Sequence, residues 1–267
     1  MLFVRDVPKE FATADFYKGS TYHLVPEKLE NDYAPVRFNR ELRLFRRFCV
    51  EGLVLDVGCS TGGFLHQLTT RWPGQYDVTG MDVAVAALEY ASLKGVPVIC
   101  DSLLTHDFGA KKFDAVTFWA VMEHLVEPQP CLGRAADLLK PGGHCFLLVP
   151  NAISLAIRLL QERYRYIMPE HLNYFSRETL RRFIGMEPRF QIRALTTTHF
   201  NPIVLLQDWR NKARPVPEGE RAQLLRRTTA LKQRPSMGLL RFLYQQTENL
   251  LGRLGLADNL VAVLQKR

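Results

Sequence analysis

The segment Val54-Leu55-Asp56-Val57-Gly58-Cys59-Ser60-Thr61-Gly62-Gly63 runs from an apolar, β-like stretch into a glycine-rich turn, with a carboxylate two residues before the first glycine. A strand-to-helix turn that brings backbone against a ligand needs positive φ angles and no intervening Cβ, and Gly58, Gly62 and Gly63 meet that need. The G-x-G-x-x-G pattern that holds a pyrophosphate at a helix N-terminus is broken, because Ser60 stands where the second glycine belongs. Asp56 would repel a pyrophosphate and attract a ligand carrying an ammonium or a sulfonium. The segment therefore predicts a loop that cradles a cationic, nucleotide-like ligand over the start of a helix. Its other reading is an ordinary glycine turn, which recurs across α/β folds.

From Gly52 onward short apolar runs alternate with helix-like stretches, the pattern of a parallel sheet wrapped by helices. Strands are expected over residues 54–57, 77–82, 97–101, 113–119 and 144–150, and helices over 63–71, 85–93 and 130–139. Lys140-Pro141-Gly142-Gly143 is expected to end the last of these helices, with a proline that cannot continue it and two glycines that turn the chain. Ahead of the sheet, residues 15–48 carry Phe16, Tyr17, Tyr22, Tyr33 and Phe38 among charged side chains and read as an N-terminal helical cap.

With these elements in place, the chain resembles the class I S-adenosylmethionine-dependent methyltransferases. Their hydrophobic-hydrophobic-(Asp/Glu)-x-Gly-x-x-x-Gly motif is matched from Val54 to Gly62, and Leu138-Leu139-Lys140-Pro141-Gly142-Gly143 is similar to the turn before their fifth strand. Val121-Met122-Glu123-His124-Leu125 resembles the V-x-E-H-hydrophobic stretch of small-molecule enzymes related to the ubiquinone-pathway O-methyltransferases. Pro169-Glu170-His171-Leu172-Asn173-Tyr174-Phe175-Ser176 resembles the His-Leu-x-x-Phe-Ser stretch before the last helix of bacterial members. The resemblance covers roughly residues 53–180. It implies a Rossmann-like α/β fold with a seven-stranded, mostly parallel sheet and helices on both faces, completed by strands over 189–195 and 260–264. The expected division is a helical cap over 1–50, the cofactor-binding core over 51–198, a basic helical insertion over 199–258 and a final strand over 259–267.

The same resemblance names S-adenosyl-L-methionine as the methyl donor and places Asp56, Gly58, Cys59, Ser60 and Gly62 around it. In an open parallel sheet, ligands bind beyond the carboxyl ends of the strands, and those ends are polar here. Asp82, with Val83 beside it, ends the second strand, where a carboxylate can accept both ribose hydroxyls. Asp101 and Ser102 end the third, where the family holds the adenine amino group. Either aspartate alone could instead cap a helix. Trp119, Glu123 and His124 follow the fourth strand, the region that faces the methyl group and the acceptor in these enzymes.

Ser176 is expected to cap a helix that has Glu178 and Thr179 in its first turn, which leaves His171 in the loop overhanging the cofactor. An imidazole there titrates near neutrality and can take the proton from an acceptor hydroxyl, with His124 as a second catalytic candidate. The alternative for His171 is a hydrogen bond to backbone that holds its loop. Tyr17, Tyr22, Glu123, Tyr164 and Tyr166 are candidates to line the acceptor site. Some related enzymes bind a divalent metal with an extra acidic residue three positions before the Glu of Glu-His; that position is Ala120, so no metal is expected.

Composition bounds the partners. The net charge of +8 is uneven: residues 1–150 hold 15 Lys and Arg against 18 Asp and Glu, and residues 151–267 hold 20 against 9. The C-terminal half could meet an anionic substrate, nucleic acid or an acidic membrane, or be a solvated face. Within it, Leu239, Leu240, Phe242, Leu243, Leu250, Leu251 and Leu254 recur at helical spacing, as expected for a stripe packed on the domain or a second subunit, or for an interfacial helix. The Asn/Asp-Pro-Pro-aromatic motif of amino-directed nucleic-acid enzymes is absent after the fourth strand, which makes a small-molecule acceptor, methylated on oxygen, the leading expectation. A nucleic-acid enzyme and a non-catalytic cofactor-binding subunit are the alternatives. Five cysteines with no C-x-x-C pair, and no signal-like or spanning segment at the start, read as a cytoplasmic protein with reduced thiols.

Overall fold

A computed structural model describes residues 2–3, 7–8, 15–19, 24–210, 223–224 and 238–267. The chain opens with β1 (Leu2–Phe3) and three short helices, α1 (Asp15–Lys18), α2 (Pro26–Asp32) and α3 (Asn39–Arg46). It then alternates through β2 (Gly52–Val57), α4 (Gly63–Arg71), β3 (Tyr76–Asp82), α5 (Val85–Leu93), β4 (Val98–Cys100), β5 (Phe113–Trp119), α6 (Pro128–Leu138) and β6 (Leu139–Pro150). After these come α7 (Leu155–Leu160), β7 (Asn173–Tyr174), α8 (Arg177–Gly185), β8 (Phe190–Thr198), α9 (Pro202–Arg210), α10 (Gly238–Arg253) and β9 (Asn259–Lys266).

Seven strands form one sheet in the order β4-β3-β2-β5-β6-β9-β8. Every neighbouring pair is parallel except those made by β9, which is antiparallel to both β6 and β8. The central strands are apolar on both faces, as a sheet covered twice requires. On one face Leu42 and Phe45 of α3, at helical spacing, bury with Phe64 and Leu65 of α4 over Val54, Phe146 and Val263. On the other, Leu132 and Ala135 of α6 and Leu180 and Phe183 of α8 close over Leu55, Val116, Phe118, Leu147 and Ala262. β1 pairs antiparallel with β7 in a separate two-stranded sheet, so the N-terminal cap is not wholly helical.

Lys140-Pro141-Gly142-Gly143 follows the end of α6 and turns the chain as expected, but it does so inside a strand. It is a wide bulge inside β6: pairing steps from Phe113↔Leu139 to Ala115↔His144, so four residues of β6 stand against Asp114 of β5. Asp114 is the reason: its carboxylate accepts from Lys140 Nζ at 2.8 Å and from the Leu53 N–H at 2.8 Å, and Gly142 turns the chain at φ 79°. α6 accordingly ends at Leu138, not 139; β8 starts at Phe190 and runs on to Thr198, past its expected end, and β9 is longer at both ends than expected.

α9 and α10 lie between β8 and β9, the place expected for the insertion. Its inner contacts differ from the expected apolar stripe. Leu251 is buried with Phe200 and Ala257, and Glu248 is buried, whereas Phe242, Leu250 and Leu254 are 56–61% exposed. Glu248 explains the inward face: it pairs with Arg40 of α3, beside the pair made by His199 Nε2 and the buried Glu41 at 2.6 Å. The side chains of Leu239, Leu240 and Leu243 lie outside the described residues. α9 is fastened by Asp208, whose carboxylate accepts from the Arg165 backbone N–H and guanidinium at 2.6–3.1 Å.

Candidate active site

The glycine loop follows the carboxyl end of β2 and has the backbone that its residues require. Gly58, Ser60 and Gly62 have φ of 71°, 51° and 76°. A Cβ on Gly58 would meet Val121 Cγ2 at 2.5 Å, and one on Gly63 would meet the Asp32 carbonyl at 2.7 Å, so both positions are closed to any larger residue. Ser60 is held in its left-handed conformation by Asp82, whose Oδ2 accepts from the Ser60 N–H at 2.8 Å. The Ser60 hydroxyl is buried with no hydrogen-bond partner among the described residues. Cys59 turns inward: a Cβ on Gly80 would meet its Sγ at 2.6 Å, so its backbone, not its thiol, faces the loop.

Asp56 is buried beneath this loop and accepts from Thr117 Oγ1 at 2.6 Å. Burial raises its carboxyl to about 7, offset in part by the Thr117 bond and reinforced by Asp82. Asp82 also accepts from the Val83 and Ala84 N–H groups at 2.7 and 3.0 Å. Backbone donors thus occupy three of the roughly four acceptor sites of the carboxylate. Asp101 accepts from the Ser102 N–H at 2.7 Å and from His106 Nδ1 at 2.9 Å, bonds that hold it below the usual carboxylate range. His106 was not legible as its partner.

Trp119 ends β5 with its ring 5.2 Å from Phe64 and 6.1 Å from Phe146, on the α3 face of the sheet. Its Nε1 is buried without a partner among the described residues, and it lines a cavity of about 380 Å³ with Arg43, Arg47, Thr196 and Val261. Tyr33 was legible only as a cap aromatic; its hydroxyl donates to the Thr61 carbonyl and ties the cap to the glycine loop.

The second half of the site comes from two loops knitted together. The Leu172 and Asn173 N–H groups donate to the Glu123 carbonyl at 2.7 and 3.0 Å, and Asn173 Nδ2 donates to the Leu125 carbonyl at 2.6 Å. This sets the His124 and His171 rings 4.7 Å apart, edge to face. His124 Nδ1 bonds the Glu170 carbonyl at 2.9 Å and the Tyr17 hydroxyl at 3.0 Å; His171 Nδ1 bonds the Tyr166 carbonyl at 2.9 Å. The loop-holding role expected for His171 is present in the Nδ1 bond to the Tyr166 carbonyl. Burial pushes Glu123 up to about 8 and His124 down to about 4, so the pocket disfavours charge of either sign.

Glu123, His124 and His171 each place one donor atom within 4.8 Å of the others. Tyr17 joins them through His124. Tyr164 does not: it buries with Ala156 and Leu160 and faces Asp258. Tyr166 contributes its carbonyl and stands with its ring 6.3 Å from His171. Tyr22 lies outside the described residues. The expected cap at Ser176 is present as a capping box with Thr179, which starts α8 directly after the His171 loop.

A glycine loop after β2, the first strand in chain order of a sheet with this topology, closed by one antiparallel strand, and with carboxylates at successive strand ends, defines a class I methyltransferase. The family model described as a methyltransferase domain matches residues 33–184. The chain belongs to that methyltransferase family. It is 31% identical over 193 residues to a ubiquinone biosynthesis O-methyltransferase of Proteus mirabilis, covering 66% of this chain and 78% of that one. A protein with the same description from Pectobacterium atrosepticum is 36% identical over 135 residues, 46% of this chain and 55% of that one. Among solved structures, a possible histamine N-methyltransferase from Thermotoga maritima has 16% identity and a TM-score of 0.57, covering 97% of this chain and 98% of that one. The plantazolicin methyltransferase BpumL, solved with a substrate analogue and SAH, has 17% identity and a TM-score of 0.56, covering 97% and 95%.

Proposed function

We propose that this enzyme transfers the methyl group of S-adenosyl-L-methionine to a hydroxyl oxygen of a small molecule held against Tyr17, Glu123, His124 and His171. The pairing of the two histidines across knitted loops, beside the carboxyl end of β5, is the observation that carries this reading. The relatives named as ubiquinone biosynthesis O-methyltransferases support oxygen as the acceptor atom. Asp56, the backbone of Gly58, Cys59, Ser60 and Gly62, and Asp82 with Val83 are assigned to the donor's methionine and ribose. Asp101 and Ser102 are assigned to its adenine, and Trp119 to the boundary with the acceptor.

Methyl transfer is an in-line displacement at a carbon already activated by the sulfonium, so positioning supplies much of the acceleration. His171 adds proton removal. Its Nδ1 is committed to a carbonyl, which only accepts, so the proton sits on Nδ1 and Nε2 carries the lone pair. His171→Ala is expected to lower turnover of a hydroxylated acceptor by about 10²–10⁴, read as S-adenosylhomocysteine release. Full rate with unchanged donor affinity would remove this role from His171.

Asp56 makes donor binding pH-dependent. In the ligand-free site its carboxyl titrates near 7, and a cationic donor binds the ionised form. Affinity is therefore expected to rise about tenfold from pH 6 to pH 8 and to level off above, with protons released on binding. Isothermal titration in buffers of different ionisation enthalpy measures both, and a flat profile would separate Asp56 from the donor's charge.

The exposed Phe242, Leu250 and Leu254 on α10, next to exposed Arg253, support a second reading in which the basic insertion touches an anionic membrane surface. Among the described residues no helix is long and apolar enough to cross a membrane. Sedimentation with anionic vesicles at low salt tests surface contact; protein left in the supernatant would exclude it. A homodimer through the same face is the competing outcome, read by light scattering.

A further inference from the structure

α3 turns two unlike faces to its surroundings. Leu42 and Phe45 pack on the sheet, whereas Arg40, Arg43 and Arg47 recur at three- and four-residue spacing along another side of the helix and its C-cap. That side lines the cavity of about 380 Å³ that Trp119 also lines, between α3, the edge strand β8, its neighbour β9 and α10. From α10 come Glu248, Asn249 and Arg253, and from the sheet Thr196 and Val261.

Charge in this cavity is not balanced. The acids among its lining residues are both taken: Glu41 pairs with His199 Nε2 at 2.6 Å, and Glu248 pairs with Arg40. Arg43, Arg47 and Arg253 are exposed and have no acidic partner among the described residues. Arg43 and Arg47 stand four residues apart along α3, where like charges repel. The remaining polar groups add donors, namely the Asn249 amide, one turn before Arg253, the Thr196 hydroxyl and the Trp119 indole. Trp119 Nε1 is buried and has no partner among the described residues, and an indole N–H is satisfied only by an acceptor.

We propose that this cavity binds the phosphomonoester group of a small molecule. Such a group carries nearly two negative charges and three acceptor oxygens, so it can engage guanidinium groups from both helices at once, whereas one bidentate arginine already uses both oxygens of a carboxylate. The volume falls within the roughly 300–1,000 Å³ of small-molecule sites, which leaves room for an organic body beside the phosphate, against Leu44, Val261 and the Trp119 ring. The inference goes beyond the methyl-transfer reading: of the residues assigned to the donor or acceptor, this cavity shares Trp119, and it does not depend on which acceptor is used.

The test is ligand binding by the full chain without donor or acceptor, with phenyl phosphate as the probe, followed by calorimetry. One equivalent is expected to bind, about tenfold more tightly than benzoate or inorganic phosphate. Arg43→Gln and Arg47→Gln are each expected to weaken phenyl phosphate binding by about tenfold while circular dichroism and S-adenosylhomocysteine affinity stay unchanged. Arg181→Gln, which removes one exposed charge from α8 on the opposite face of the sheet, is expected to leave it unaltered. Affinity equal in wild type and both groove variants, an equal loss in Arg181→Gln, or benzoate or inorganic phosphate binding as tightly as phenyl phosphate would each overturn the proposal. Phosphatidate vesicles present the same group on a lipid; protein that binds them and ignores phenyl phosphate would overturn the small-molecule assignment. Failure here would leave methyl transfer standing, because no arm measures turnover.

Discussion

Asp82→Asn is expected to weaken S-adenosyl-L-methionine binding by about 100-fold, roughly 3 kcal/mol, with little change in global stability. The carboxylate acts at two levels. Its Oδ2 holds the Ser60 N–H and keeps a non-glycine residue at φ 51°, and Oδ1 gathers the Val83 and Ala84 N–H groups at the start of α5. The neutral amide exchanges charge-assisted acceptors for weaker ones and turns one acceptor into a donor facing backbone N–H groups. The glycine loop then loses the tie that sets its curvature, and the ribose loses the charged partner proposed for it. Calorimetry with the donor reads the affinity; a change under threefold would show that the loop keeps its shape without Asp82 and that the ribose is held elsewhere.

Asp208→Ala is expected to destabilise the protein by about 3–5 kcal/mol. Asp208 has no accessible side-chain surface, and the Arg165 side chain is only 12% accessible. Arg165 gives this carboxylate its backbone N–H, Nε and Nη2. Removing the carboxylate leaves a guanidinium in the interior whose remaining side-chain partner, the Gln207 amide oxygen at 2.6 Å, is neutral, so its desolvation is no longer offset by an opposite charge. The same loss detaches α9 from the segment after α7. Arg165→Met combined with Asp208→Leu is expected to recover most of the stability, since an apolar pair of similar volume carries no charge to desolvate. Urea unfolding of the three variants measures this; a loss below 1 kcal/mol in Asp208→Ala would mean that water reaches Arg165.

Much of the cofactor half was legible from local pattern. Glycines at 58, 62 and 63, an acid at 56 and acids at the ends of the next strands are short-range signals, because each follows from what one strand end and one turn demand of their own residues. The helices over Gly63–Arg71 and Val85–Leu93 and the strand Phe113–Trp119 have the expected bounds for the same reason. The bulge in β6 was not legible. Lys-Pro-Gly-Gly reads locally as a turn, and only Asp114 on the neighbouring strand, 26 residues before Lys140, holds it as a bulge within β6. The insertion misled for a related reason: its leucine spacing predicts an apolar inner face, yet Glu248 turns inward because Arg40, 208 residues earlier, waits there.

The acceptor half shows where reading along the chain stops. Glu123-His124 and His171 were each visible as chemistry, on separate stretches of the chain. Only the fold joins the two loops, through backbone bonds from Leu172 and Asn173 to Glu123, and so makes three separate candidates into one cluster. The sequence determined the class of fold and the donor it takes, since these rest on periodicity and backbone conformation within a few residues. Tertiary structure decided which distant side chains share a pocket, which acids are already partnered and which buried oxygen is left without a donor. Those outcomes depend on packing between segments that carry no local mark of one another.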